Sequence, residues 1–189
     1  MISLLILSLG VAVSQPSGAA IAAAALERTR HAVVYDSSYQ RIAYPMGDVA
    51  ADRGVCADVV IRSLRIAGID LQKDIHEDMT AHFSSYPQDW GLNRPDSNID
   101  HRRVPNIERY FTRIGWRLAP SRNADDYKEG DIVAWNLRGD RGYLAHIGVV
   151  TSKIGPSGNP MVVHNIGAGP QLEDVLFSWK ITGRYRIGG

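Results

Sequence analysis

The chain has 189 residues, 44% apolar and 22% charged, with 18 Gly and 9 Pro, the make-up of an ordinary globular protein. That apolar share excludes a disordered chain, and no internal repeat is present. Lys and Arg total 21 against 20 Asp and Glu, so the net charge of +1 offers no electrostatic footprint for nucleic acid.

Ile2 to Val13 is an apolar run followed by Ser14, Gln15 and Pro16. It falls short of the roughly 20 residues that span a bilayer, but suits the apolar stretch of a secretory signal. Ala12-x-Ser14 and Ala19–Ala25 both supply small residues for cleavage. The expectation is a signal peptide over residues 1–24 and a single domain over 25–189, with a periplasmic or secreted destination. No membrane span is expected once the signal is gone. No Lys or Arg precedes the run, and the competing reading is a buried N-terminal helix. The one cysteine, Cys56, rules out an internal disulfide and is either a small buried hydrophobe or a working thiol.

Leu26 to about Tyr35 continues a helical pattern from the Ala-rich segment and stops at Asp36-Ser37-Ser38. Tyr39 to Gly47 is an irregular loop. A helix is predicted from about Val55 to Ala67, with Val55, Val59, Val60 and Leu64 in register and Gly68 as its stop. A second covers Asp70 to Phe83, where Leu71, Ile75, Met79 and Phe83 recur every four residues. Ser84 to Arg103 is a polar loop too long for mere connection. Pro105 opens a third helix that shows Ile107, Tyr110, Phe111 and Ile114 and ends at Gly115. The period then changes to strands at Trp116–Leu118, Ile132–Asn136, His146–Ser152, Met161–Asn165 and Ile181–Ile187. Helices followed by strands predict an α+β domain, with N-terminal helices packed on a C-terminal antiparallel sheet of about five strands.

Cys56 falls in the first turn of the helix after Gly54, where free backbone N–H groups and the helix dipole favour a thiolate and an oxyanion. A thiolate nucleophile needs a base and a group to orient it. His146 opens the strand HIGVV and His164 ends the strand MVVH, so adjacent antiparallel strands bring both to one edge. The bland reading of each alone is a half-buried polar residue at a strand end. His76 and His82 lie six apart and fail the zinc-site spacing. No metal or cofactor is expected. Asp96-x-Asn98-x-Asp100 begins like a calcium loop but has His101 and Ile107 where Gly and an acid belong. Trp90 suits substrate contact. His101 is a substrate-site residue or an ion-pair member, and Arg102 and Arg103 either clamp a carboxylate or pair with Asp100 or Asp96.

GDIVAW at 130–135, HIGVV at 146–150 and Val163-His164 resemble the catalytic sheet of the NlpC-type, papain-like bacterial cell-wall cysteine peptidases. The resemblance implies that fold. It implies Cys56 as nucleophile, His146 as base and His164 as its orienting partner, with Asn165 the alternative. Tyr44, about twelve residues before the cysteine, takes the place of a tyrosine that frames the oxyanion, and Asp58 is grouped with the same site. From Tyr35 to Ile187 the chain also looks like a bacterial family filed as a domain of unknown function (number 1287), through GVCADVVIRSLR, YPQDWG, IDHRRVPN and HNIG. The peptidases usually flank the cysteine with Asp and Ser-Gly, whereas Val55 and Ala57-Asp58 stand here.

The expected function is a thiol hydrolase that cleaves amide bonds of peptidoglycan stem peptides, its partners, through a thiol held several units below the free value of about 8.5. The alternatives are a non-catalytic envelope-binding domain and a thiol acyl or amide transferase.

Overall fold

The computed structural model describes residues 17–188. The apolar run Ile2–Val13 lies outside them. Helix α1 covers Gly18–Arg28, capped by the Ser17 hydroxyl on the Ala20 N–H, and buries Ile21, Ala22 and Ala25. The chain leaves the helix at Thr29 rather than continuing to Tyr35. Val34–Tyr35 is instead a short strand, β1, parallel to Arg53–Gly54, β2. Val34 and Tyr35 are both exposed, so a helix there would have buried nothing. Main-chain bonds to the 52–54 segment hold them extended, with Val34 N–H on Asp52 C=O at 2.8 Å.

Helix α2, Cys56–Ile66, starts from Val55 and stops before Gly68, whose φ of +80° suits a residue without Cβ. Helix α3, Leu71–His82, is capped by Asp70, whose carboxylate accepts the Gln72 N–H at 3.1 Å. Helix α4, Val104–Arg113, has Pro105 in its first turn and buries Ile107 and Phe111.

Six strands form one antiparallel sheet: β3 Arg117–Leu118, β4 Ile132–Asn136, β5 Ala145–Ile154, β6 Pro160–Asn165, β7 Pro170–Glu173 and β8 Lys180–Tyr185, in the order β3-β8-β4-β5-β6-β7. β7 is the strand the sequence pattern does not announce. It is four residues long, begins with Pro and lies at the sheet edge, where a missing N–H costs no ladder bond.

Side chains alternate across this sheet. Ile132, Ala134, Ile147, Val149 and Val163 join the core shared with the helices. Val133, Trp135, Val150 and Val162 pack on the opposite face with Tyr127 and Leu176. Helices α1 and α2 both lie against β5. The architecture is the expected α+β arrangement with one more strand. Among the described residues no helix is long and apolar enough to cross a membrane.

Candidate active site

Cys56 is the first residue of α2 and is buried. The turn that carries it is fixed from below by Asp58. One carboxylate oxygen of Asp58 accepts the Val55 N–H at 2.6 Å. Arg102 binds the same carboxylate through two bonds, Nε to Oδ1 at 3.0 Å and Nη2 to Oδ2 at 2.9 Å. Arg102 Nη2 also reaches the Asp36 carbonyl at 3.2 Å. This bidentate pair therefore ties the segment after β1, the cysteine turn and the 3-10 turn Asp100–Arg102 into one unit.

Burial pushes the Cys56 thiol up to about 11, while the backbone N–H groups of Ile147 and Ala57 pull it the other way. The helix start does supply donors, as expected, but desolvation outweighs them, so the resting sulfur is a neutral thiol rather than a preformed thiolate. Tyr35 stands beside it: partial loss of solvent around its half-exposed ring, then the neighbouring Cys56 sulfur and Asp58 carboxylate, push the phenol up to about 12.

His146 and His164 meet. The register sets Gly148 opposite His164 and Trp135 opposite His146, which places both imidazoles on the face carrying Trp135. His146 Nε2 lies 2.8 Å from His164 Nδ1, with the rings nearly perpendicular at 84°. Trp135 stacks on His146 at 5.7 Å and Trp179 covers His146 and His164 at 6.1 and 6.0 Å. Under this cover burial pushes His146 down to about 3, with His164 adding to the shift. Burial also lowers His164, opposed by the Glu173 carboxylate.

Alternation turns Ile147 towards α2 and His146 away from it, so thiol and imidazole straddle strand β5 at its first residues. Among the described residues no hydrogen bond links the sulfur to either ring. What joins them is the Ile147 N–H, next in the chain to His146, which meets the sulfur.

A family model, Domain of unknown function (DUF1287), matches residues 22–187. The chain belongs to this family. A relative in Escherichia coli (strain K12), "Uncharacterized protein YijF", is 54% identical over 167 residues, covering 88% of this chain and 80% of that protein. Two crystal structures of an N-acetylmuramoyl-L-alanine amidase from Bacteroides uniformis superpose with TM-scores of 0.52 and 0.51. They are 14% and 13% identical, cover 90% and 91% of this chain, and are themselves covered to 98% and 99%. NlpC1 from Trichomonas vaginalis gives a TM-score of 0.48 at 12% identity, over 90% of this chain and 44% of that one. The DUF1287 chain thus shares the fold of the Bacteroides uniformis N-acetylmuramoyl-L-alanine amidase structures.

Several of the expected site residues hold other positions in this DUF1287 domain. Tyr44 packs edge-on against His76 of α3, at 5.1 Å, and its phenol is raised by burial and then by Glu77. Tyr35 is the tyrosine beside the thiol, because β1 pairs it with Gly54, two residues before Cys56. Asn165 does not orient an imidazole. Its side-chain amide donates to Gly54 C=O at 3.4 Å and its oxygen accepts the Gly167 N–H, bracing β6 against the segment that leads into α2. His101 is buried, with burial pushing it down to about 4, so it is a packed neutral residue rather than a substrate contact. Arg102, which also lines the cleft beside the cysteine turn, spends Nε and Nη2 on Asp58 and the Asp36 carbonyl, so it offers a substrate carboxylate Nη1 alone and no second bidentate fork. Asp96 is a loop staple: it accepts from Tyr39 Oη at 3.0 Å and from Asn98.

Trp90 and Arg103 fit a surface role better. Arg103 pairs with Asp100 at 2.7 Å and lies over the Trp90 ring at 4.2 Å. With Ser37, Tyr39 and Val55 they line a cleft of about 380 Å³ beside the cysteine turn. Among the described residues no cluster of three or more His, Cys, Asp or Glu side chains is placed to hold a metal ion.

Proposed function

We propose that this protein is a cysteine hydrolase that cleaves amide bonds in the stem peptides of peptidoglycan, exported to the periplasm or medium by its N-terminal apolar segment. The observation that carries this reading is the buried imidazole pair at 2.8 Å, anchored one residue from the N–H that meets the lone thiol. The fold shared with a named N-acetylmuramoyl-L-alanine amidase supports the substrate class.

In the resting structure thiol and imidazole stand on opposite sides of strand β5, and the proposed reaction requires substrate binding to shift the start of α2 against the first residues of β5 so that the sulfur reaches His146. His146 Nδ1 takes the thiol proton as sulfur attacks the carbonyl carbon. Concerted transfer avoids a free thiolate, which burial disfavours. The oxyanion is met by N–H groups at the start of α2 and by the Tyr35 hydroxyl. His146 then gives its proton to the leaving amine as the C–N bond breaks, and water hydrolyses the thioester with His146 again as base. Trp90, Arg103 and Tyr39 supply the walls and a cation for a carboxylate-bearing peptide.

The test is digestion of purified sacculi and soluble muropeptides by the wild type and by Cys56→Ala, with products identified by mass. Release of a new amine and a new carboxylate by the wild type alone is the expected result. Equal products from both proteins would remove the thiol mechanism. The buried thiol favours one second reading, an envelope-binding domain: both proteins then bind sacculi equally and neither releases anything.

A further inference from the structure

The histidine pair leaves a question of proton placement that the thiol and base do not answer. Between His146 Nε2 and His164 Nδ1, 2.8 Å apart, one nitrogen carries the hydrogen and the other the lone pair. In one arrangement His146 keeps a bare Nδ1 and can act as a base. In the other its hydrogen sits on Nδ1 and it cannot.

The far end of the pair decides between them. His164 Nε2 lies 2.8 Å from Glu173 Oε2. This nitrogen is buried and has no other hydrogen-bond partner among the described residues. The approach is oblique to the ring N–H, so it is an ion-pair distance rather than an aligned bond, and the Glu173 side chain that makes it is partly exposed. Glu173 arrives from β7, where it sits opposite Val162, two residues from His164 and on the same face of β6.

We infer that Glu173 is a positioning residue for the catalytic pair: its carboxylate holds the hydrogen on His164 Nε2, and thereby leaves the His146 Nδ1 lone pair free to accept the thiol proton. A carboxylate accepts and does not donate, so His164 must turn an N–H towards it. His164 Nδ1 is then bare and accepts from His146 Nε2–H. His146 Nδ1 is bare in consequence. When His146 becomes an imidazolium, the same line of bonds directs its charge towards Glu173. The inference rests on the proposed catalytic role of Cys56 and His146, and extends it by one residue from the edge strand.

The experiment uses the full chain with ¹⁵N-labelled histidine. Long-range ¹H–¹⁵N correlation at pH 7 reads which ring nitrogen of His146 and His164 is protonated, with no need of a substrate. The wild type is expected to show Nε2–H on both rings. Glu173→Leu, which has no acceptor, is expected to show a mixture of tautomers, and Glu173→Gln, whose carbonyl end still accepts, to stay nearer the wild type. Turnover of muropeptide should fall by roughly 10-fold or more in the leucine variant, with KM within about twofold. A wild-type spectrum with the hydrogen on His164 Nδ1 overturns the inference without any variant. So does a leucine variant that keeps both tautomers and the wild-type kcat. If the wild type releases nothing from peptidoglycan, the proposed function fails, while the tautomer spectra still judge Glu173.

Discussion

Replacing Arg102 with Met removes the cation that faces Asp58 and keeps most of the side-chain volume. Both partners are buried, and two hydrogen bonds of 3.0 and 2.9 Å join them. The carboxylate that remains has only the Val55 N–H at 2.6 Å to compensate its charge. Stranding one member of a buried pair costs about 3–5 kcal/mol. For a domain of this size about 1 kcal/mol moves Tm by roughly 2–4 °C, so Arg102→Met should melt about 6–20 °C below the wild type. Adding Asp58→Asn keeps an acceptor for Val55 while removing the stranded charge, and should restore more than half of the loss. Thermal and urea unfolding, followed by far-UV circular dichroism, measure both steps. A single variant that loses less than about 1 kcal/mol, or a double variant no better than the single, would show that the pair does not hold the cysteine turn. Arg102 would then return to the residues free to meet a substrate.

Because burial raises Cys56 to about 11, its alkylation by iodoacetamide should keep accelerating beyond pH 9; a plateau below pH 7 would reveal a preformed ion pair. His101, lowered to about 4 by burial, binds its proton less readily folded than unfolded, so its neutral form supports the fold fully above about pH 6.5. That support is lost as pH falls through 6.5 towards 4. The stability difference between wild type and His101→Gln should therefore shift by about 2 kcal/mol against the wild type from pH 7 to pH 5. A pH-independent difference in urea midpoints would contradict it. Trp90→Ala should raise KM for muropeptides by about 3–10-fold through loss of one aromatic wall, while Tm stays within a few degrees. A change in Tm alone would make Trp90 structural. Cleavage of an exported form should fall no later than Ser17, because removal of residues to 24 would strip the buried Ile21 from the core. N-terminal sequencing checks this, and a stable mature protein that begins after Ile21 would refute it.

Much of the scaffold could be read from local pattern. The periodic apolar positions of α2, α3 and α4, and the Gly residues after α2 and α4, fall where the structure places them. The strand segments holding His146 and His164 were visible from β-branched runs, and their meeting followed from antiparallel neighbours. Two segments depart from local pattern for one reason. Val34–Tyr35 and β7 gain their conformation from main-chain partners that are distant in sequence, and neither carries a periodic apolar signal. Tyr35 and Glu173 stand on those two strands, so the tyrosine beside the thiol and the carboxylate behind the histidines are not legible in local pattern.

Composition, period and punctuation by themselves determined the class of fold, the helix carrying Cys56 at its start, and the strands bearing the two histidines. They did so because helix and strand periods and end residues are local properties of the chain. Which carboxylate holds Arg102, which tyrosine stands by the sulfur and whether the thiol rests charged were settled by the folded arrangement. Those outcomes depend on burial and on pairings between segments far apart in sequence. A buried cysteine with donors at a helix start reads as a thiolate from its neighbours in the chain, and as a neutral thiol once the solvent it loses is counted.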